Sequence, residues 1–152
     1  MHAINGIFNY GDDPVNTQQI HRMIDTSDNC DGSSDDLFMN DHIALGKQST
    51  YNEDRTYVLV FNGKLINGRE LERDLALRGH RFHTYSDAEV LMHAFEEWGE
   101  HCVKKLRGKF AFAIWDQRRG ELFCARDPFG IKPLYFVHRD SYFVFSSEIK
   151  NI

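Results

Sequence analysis

Long apolar runs are missing from this 152-residue chain, and none approaches the ~20 residues of a membrane span. The opening MHAINGIFNYGDD has neither a basic start nor an apolar stretch, so no secretory leader is expected. Cysteine is scarce and odd in number. Cys30, Cys102 and Cys124 fit neither a disulfide framework nor a zinc spacing, so a reducing, cytoplasmic setting is the expectation. Three prolines and 11 glycines are too few for an extensively disordered chain. What is present, 41% hydrophobic and 27% charged residues, is an ordinary globular composition. A single domain over 1–152 with a sizeable core is expected.

Charge is unevenly spread. The net charge of −5 sits in residues 25–41, DTSDNCDGSSDDLFMND, which hold six Asp and no Lys or Arg. The remainder balances, with 18 basic and 17 acidic residues. The Ser, Asn, Asp and Gly content of the acidic segment predicts a loop. A basic run of opposite sign follows, with Lys104, Lys105, Arg107, Lys109, Arg118 and Arg119. Both read first as solvated surface, and either is a candidate face for a charged partner.

Periodicity predicts a strand over Ala3–Tyr10, a helix opened by Pro14 to about Ile24, and a short strand at His42–Leu45. Thr56–Phe61 is a stronger strand, ending at the turn signal Asn62-Gly63. Arg69–Leu77 reads as a helix stopped at Gly79, with Leu71, Leu75 and Leu77 as its apolar face. Ser86 and Glu89 form a capping-box pattern ahead of a helix running to Trp98. Phe110, Phe112 and Ile114 alternate with Ala111, Ala113 and Trp115, a strand covered on both faces. Glu121–Arg126 returns from it as a hairpin, and Leu134–Val137 and Tyr142–Phe145 form another. The order of elements predicts an α+β layered domain with mainly antiparallel sheets.

Several strings carry a resemblance: INGIFNY near the N-terminus, LVFNGKLINGREL at 59–71, YSDAEVLMHAFEEWGEHCVKKLRGKFAFAIWD at 85–116, LFCARDPFGIKPLYF at 122–136 and FSSEIK at 145–150. Together they resemble the class II glutamine amidotransferase domain of asparagine synthetases, of the N-terminal nucleophile hydrolase fold. The resemblance implies a four-layer αββα sandwich with two antiparallel sheets inside. It also implies a chemistry. A cysteine at the mature N-terminus attacks the glutamine side-chain amide, with its own α-amine as base. An Asn side chain and a Gly amide of an NGE motif form the oxyanion hole. An Asp of an SD-T-E motif and an Arg of an RRLS-like loop hold the amino acid end of the substrate.

The sequence departs from that pattern where the chemistry lies. The family begins Met-Cys-Gly-Ile; this chain begins Met1-His2-Ala3-Ile4, so His2 occupies the nucleophile position. A large second residue implies that Met1 is retained. The NGE motif is Asn62-Gly63-Lys64, and the SD-T-E motif is Ser86-Asp87-Ala88-Glu89. Lys47-Gln48-Ser49-Thr50 leads almost directly to Tyr51, so the loop bearing the carboxylate-binding Arg looks deleted. Asn62, Gly63 and Asp87 remain as vestigial substrate-binding candidates, or as a turn and a helix start. Arg126, Asp127, Phe129, Gly130, Lys132 and Pro133 keep the family pattern and read as scaffold. Cys102 and Cys124 read as core residues, and Cys30 among acidic neighbours as unreactive.

No metal or cofactor is expected. His80 with His83, and His93 with His101, lack a Cys or carboxylate at zinc spacing. The loop at 27–38 is no EF-hand, because its first and twelfth ligand positions fall on Ser27 and Phe38. No nucleic-acid motif accompanies the basic run, so direct nucleic-acid binding is not expected. The functional expectation is therefore a catalytically inactive domain that acts by protein binding. It would serve as a structural or regulatory subunit of a separate synthetase, with no synthetase domain expected within 1–152. One alternative is an exapted inhibitor or adaptor of viral or mobile-element type. It would bind a host nucleoprotein complex through Asp28, Asp31, Asp35 and Asp36. The other is a residual glutamine hydrolase.

Overall fold

A computed structural model describes residues 3–26, 37–46 and 48–152 of the protein. Its elements run β1 (Asn5–Asn9), α1 (Thr17–Asp25), β2 (Phe38–Met39), β3 (Ile43–Gly46), β4 (Thr50–Tyr51), β5 (Tyr57–Leu65), α2 (Gly68–Leu77), α3 (Asp87–Trp98), β6 (Gly108–Asp116), β7 (Glu121–Arg126), β8 (Tyr135–His138) and β9 (Tyr142–Ser146). Two antiparallel sheets result, ordered β2-β3-β1-β9-β8 and β4-β5-β6-β7.

Side-chain alternation along the strands builds three apolar layers. Phe110, Phe112 and Ile114 of β6 pack with Leu59 against Leu71 and Leu75 of α2 and Val90, Leu91 and Ala94 of α3. The other face of β6, Ala111, Ala113 and Trp115, packs across the sandwich on Ile4, Ile43, Leu45 and Phe145. Beyond that sheet, Ile20 and Met23 of α1 cover Ile7, Ala44 and Val144. The order helix, sheet, sheet, helices is the αββα sandwich that the resemblance implied.

Local details revise the expectations. Pro14 does not open α1. Asn16 caps it, its Oδ1 accepting from the Gln18 and Gln19 amides at 2.9 and 3.4 Å. Leu77 is exposed, because it stands off the i, i+4 face made by Leu71 and Leu75. Asn62-Gly63 is not a turn: β5 continues through it to Leu65, with Gly63 paired to Phe110. A Cβ at Gly63 would overlap the Lys109 carbonyl oxygen, so the glycine serves close strand approach. The basic run splits between the two ends of β6, along which Lys109 and Asp116, the last strand residue before the turn with Arg118, lie about 23 Å apart. Two short strands, β2 and β4, carry no sequence signal of their own.

Asp127 fixes the bend between the two sheets. It is 1% exposed, and its carboxylate accepts from the amides of Phe110 at 3.1 Å, Ile131 at 2.8 Å and Lys132 at 3.0 Å. Gly130 completes the bend at φ +63°, with its amide on the Asp127 carbonyl at 2.9 Å. Burial raises the carboxyl pKa, and the amides of Lys132, Ile131 and Phe110 outweigh it, leaving the group below its ordinary value. The scaffold reading of this run holds for Asp127 and Gly130. Because the folded value is depressed, the stabilisation is present above the unfolded carboxyl range and is lost as pH falls through the folded value. Asp127→Asn, which turns an acceptor into a donor facing an amide, is expected to lose about 2–3 kcal/mol in urea unfolding at pH 7. It is also expected to flatten the fall in stability below about pH 4. An unchanged acid limb in the variant would refute the assignment.

Candidate functional site

The site implied by the resemblance is assembled from β5 and the start of α3. Ser86 caps α3, its Oγ accepting from the Glu89 amide at 3.2 Å. Asp87 is the first helical residue, and there its Oδ2 accepts from the Leu65 amide of β5 at 3.0 Å. One hydrogen bond thus docks the N-terminus of α3 on the strand that carries Asn62 and Gly63. Glu89 reaches back over the preceding loop. Its carboxylate accepts from the amides of His83 at 2.6 Å, Thr84 at 2.8 Å and Tyr85 at 2.7 Å. Burial raises the Glu89 pKa, and these bonds outweigh it and set the carboxyl below its ordinary value. The same bonds hold Tyr85 at φ +53°, a left-handed conformation unusual for an aromatic residue.

The residue that replaces the family's NGE glutamate changes the electrostatics. The Lys64 ammonium lies 3.0 Å from Asp87 Oδ2. Asp87 is the carboxylate that the resemblance assigns to the substrate's amino acid end. Among the described residues its ion-pair partner is Lys64, and no arginine joins it. By strand alternation the Gly63 amide faces the same edge of β5 as the Leu65 amide. The Asn62 Oδ1 is buried without a hydrogen-bond partner, which costs about 1–3 kcal/mol unless a donor is supplied. The structure therefore brings Asn62, Gly63 and Asp87 to one edge. His2, Cys30, Asp28, Asp31, Asp35 and Asp36 lie outside the described residues.

The described cysteines are inert. Burial pushes both the Cys102 and Cys124 thiols up to about 12, and neither is bonded. One cluster went unrecognised in the spacing of histidines. His80, just after α2, meets His93 and Glu96 of α3. The carboxylate judged missing stands one helical turn from His93, and the i, i+3 pair on α3 was its only sequence signal.

Two substitutions separate structural from electrostatic roles at Asp87. Asp87→Ala strands the Leu65 amide and is expected to lose about 2 kcal/mol in urea unfolding. Lys64→Ala breaks a pair whose lysine is 71% exposed, and is expected to lose less than about 1 kcal/mol. Equal losses would refute the division of roles.

Comparison with known proteins agrees with this geometry. Residues 35–152 match the family described as "Glutamine amidotransferase domain". The chain is 50% identical over 103 residues to asparagine synthetase [glutamine-hydrolyzing] 3 of Bacillus subtilis (strain 168), covering 68% of this chain and 17% of that protein. It is 39% identical over 131 residues to asparagine synthetase [glutamine-hydrolyzing] 1 of the same organism, covering 78% and 21%. Among solved structures, glutamine phosphoribosylpyrophosphate amidotransferase from B. subtilis superposes with a TM-score of 0.73 at 18% identity. That match covers 98% of this chain and 42% of the other, and it supports the sandwich fold alone. The chain spans only 17–21% of the length of these asparagine synthetases. No helix of the described residues is long and apolar enough to cross a membrane. Sequence, sandwich and the edge carrying Asn62, Gly63 and Asp87 converge on one family: the chain belongs to the class II glutamine amidotransferases of the asparagine synthetase type.

Proposed function

We propose that this domain does not hydrolyse glutamine by the family route and acts instead by binding a synthetase-type protein, as its structural or regulatory subunit. The observation that carries this reading is the Lys64–Asp87 pair at 3.0 Å. A glutamine α-ammonium would have to displace a cation tethered to the neighbouring strand and present at high effective concentration. The sequence supports the same reading. Residue 2 is His where the family nucleophile is Cys, and the described thiols, near 12, stay protonated at neutral pH.

The binding half of the proposal rests on the bend that Asp127 locks. From that rigid frame Phe129 and Ile131 project into solvent, 91% and 61% exposed. Exposed apolar side chains on a fixed backbone favour protein contact. The named relatives are asparagine synthetases that extend well beyond the matched part, and a synthetase-type surface is the occupant this strip fits.

Purified protein is expected to release no ammonia from glutamine. Ammonia release that disappears in His2→Ala or Asn62→Ala protein would overturn the inactive reading. For the second half, capture of tagged protein from the source extract is expected to recover a synthetase-type protein. Recovery should be lost with Phe129→Ser/Ile131→Ser, whose exposed positions leave the fold intact. Equal recovery by that double variant, or capture lacking any synthetase, would refute the partner assignment.

A further inference from the structure

The geometry points to a divalent transition-metal site of the zinc class on the α2–α3 side of the fold, formed by His80 Nδ1, His93 Nδ1 and Glu96 Oε2. It is separate from the edge of β5 and independent of the reading of the amidotransferase site. The three atoms form a small triangle. His80 Nδ1 to His93 Nδ1 is 3.1 Å, His93 Nδ1 to Glu96 Oε2 is 2.8 Å, and His80 Nδ1 to Glu96 Oε2 is 3.7 Å. Metal–ligand distances of about 2.0–2.1 Å in a tetrahedron require ligand separations of about 3.4 Å. The triangle fits three such ligands with little movement and leaves a fourth position open.

The outer atoms of two of the three ligands, His80 and Glu96, are held in the way metal ligands require. His80 Nε2 lies 2.9 Å from Glu97 Oε2. A carboxylate there keeps the proton on the outer nitrogen and turns the Nδ1 lone pair inward. Glu97 is itself held by Arg78 at 3.3 Å. The second oxygen of Glu96 accepts from Asn52 Nδ2 at 2.8 Å. The backbone is equally fixed. His93 and Glu96 are one turn apart on α3, and the His80 amide donates to the Leu75 carbonyl at 3.1 Å where Gly79 ends α2. His93 is buried, while His80 and Glu96 face a groove of about 470 Å³ that also meets Glu53 and Arg81. The open position is therefore reachable from solvent. Two imidazoles and one carboxylate favour zinc-class ions over magnesium or calcium, which take oxygen sets.

The test uses the full chain stripped with a chelator and titrated with ZnCl2 by calorimetry. One equivalent is expected to bind and to raise the thermal midpoint, while MgCl2 leaves it unchanged. His80→Gln and His93→Gln keep side-chain volume close, and each is expected to weaken binding by at least ~100-fold. Glu97→Gln touches no ligand atom, weakens the outer hydrogen bond to His80 together with the Arg78 pair, and is expected to weaken zinc binding about 10-fold. Co2+ in place of Zn2+ is expected to give the intense visible bands of a four-coordinate ion on unaltered protein, a readout that needs no variant to fold. Absence of one-to-one binding, or zinc affinity unchanged in the His80→Gln/His93→Gln double variant, would overturn the site.

Discussion

The antiparallel pairing of β5 with β6, from Tyr57 against Asp116 to Leu65 against Gly108, is the constraint on which the rest of the molecule depends. It makes β6 a strand without a solvent face. One row of its side chains builds the core under α2 and α3, and the other builds the core between the sheets. Register cannot slip by one residue, because that would exchange Phe110, Phe112 and Ile114 with Ala111, Ala113 and Trp115. Phe110 and Phe112 would then enter the space that Ala111 and Ala113 fill between the sheets, and the two alanines would leave the helices without a floor. Gly63 and Gly108 occur where the strands approach too closely for a Cβ. The same register places Asn62 and Lys64 at the start of α3. The site is thus a by-product of core packing.

That dependence explains how the chemistry can change while the fold stays. Lys64 points away from both cores and is 71% exposed, so exchanging a family glutamate for lysine there disturbs no packing. Its effect is electrostatic and local, through the one carboxylate within reach. Asp87 is less free. Its Oδ2 serves the Leu65 amide as well as Lys64, and loss of the carboxylate would undock α3 from β5. Asp87 therefore carries a structural duty that is independent of any ligand role.

The parts legible in the sequence were those with strong periodicity or local signals. The two-faced alternation of β6, the Ser86 cap and the Gly79 stop appear as expected, whereas Glu89 closes no capping box on the Ser86 amide and reaches the His83, Thr84 and Tyr85 amides instead. The Asn62-Gly63 pair misled, because its dipeptide signal is the same for a turn and for a strand position that must lack a Cβ. Only the partner strand distinguishes the two. The short strands β2 and β4 were hidden because they exist by pairing with β3 and β5, not by propensity. The Lys64–Asp87 contact and the His80–His93–Glu96 triangle join residues distant in sequence, and tertiary packing alone brings them together. The resemblance supplied the layers and the identity of the site residues. It did not reveal that the replacing lysine would pair with the remaining aspartate.

The connection from α2 to α3 shows how the edge carrying Asn62, Gly63 and Asp87 is held in place. His80 anchors its beginning against α3. Glu89 then gathers the amides of His83, Thr84 and Tyr85, and overrides the backbone preference of Tyr85. Ser86 and Asp87 close it against the helix start and β5. Most clamps in this segment come from α3 and β5, joined by the Leu75 carbonyl of α2 under the His80 amide and by Glu53 at 3.2 Å from His83, so the position of Asp87 is fixed by the fold. His93 and Glu96 stand about 9 Å or more further along the same helix, so a cation held there would tighten the first of these clamps and leave the last unchanged. A segment over-determined in this way keeps its shape whatever occupies the edge of β5. The position of Asp87 therefore follows from architecture, whereas the buried Asn62 Oδ1 has no hydrogen-bond partner, so packing and hydrogen bonding account for the aspartate of this edge and not for the asparagine.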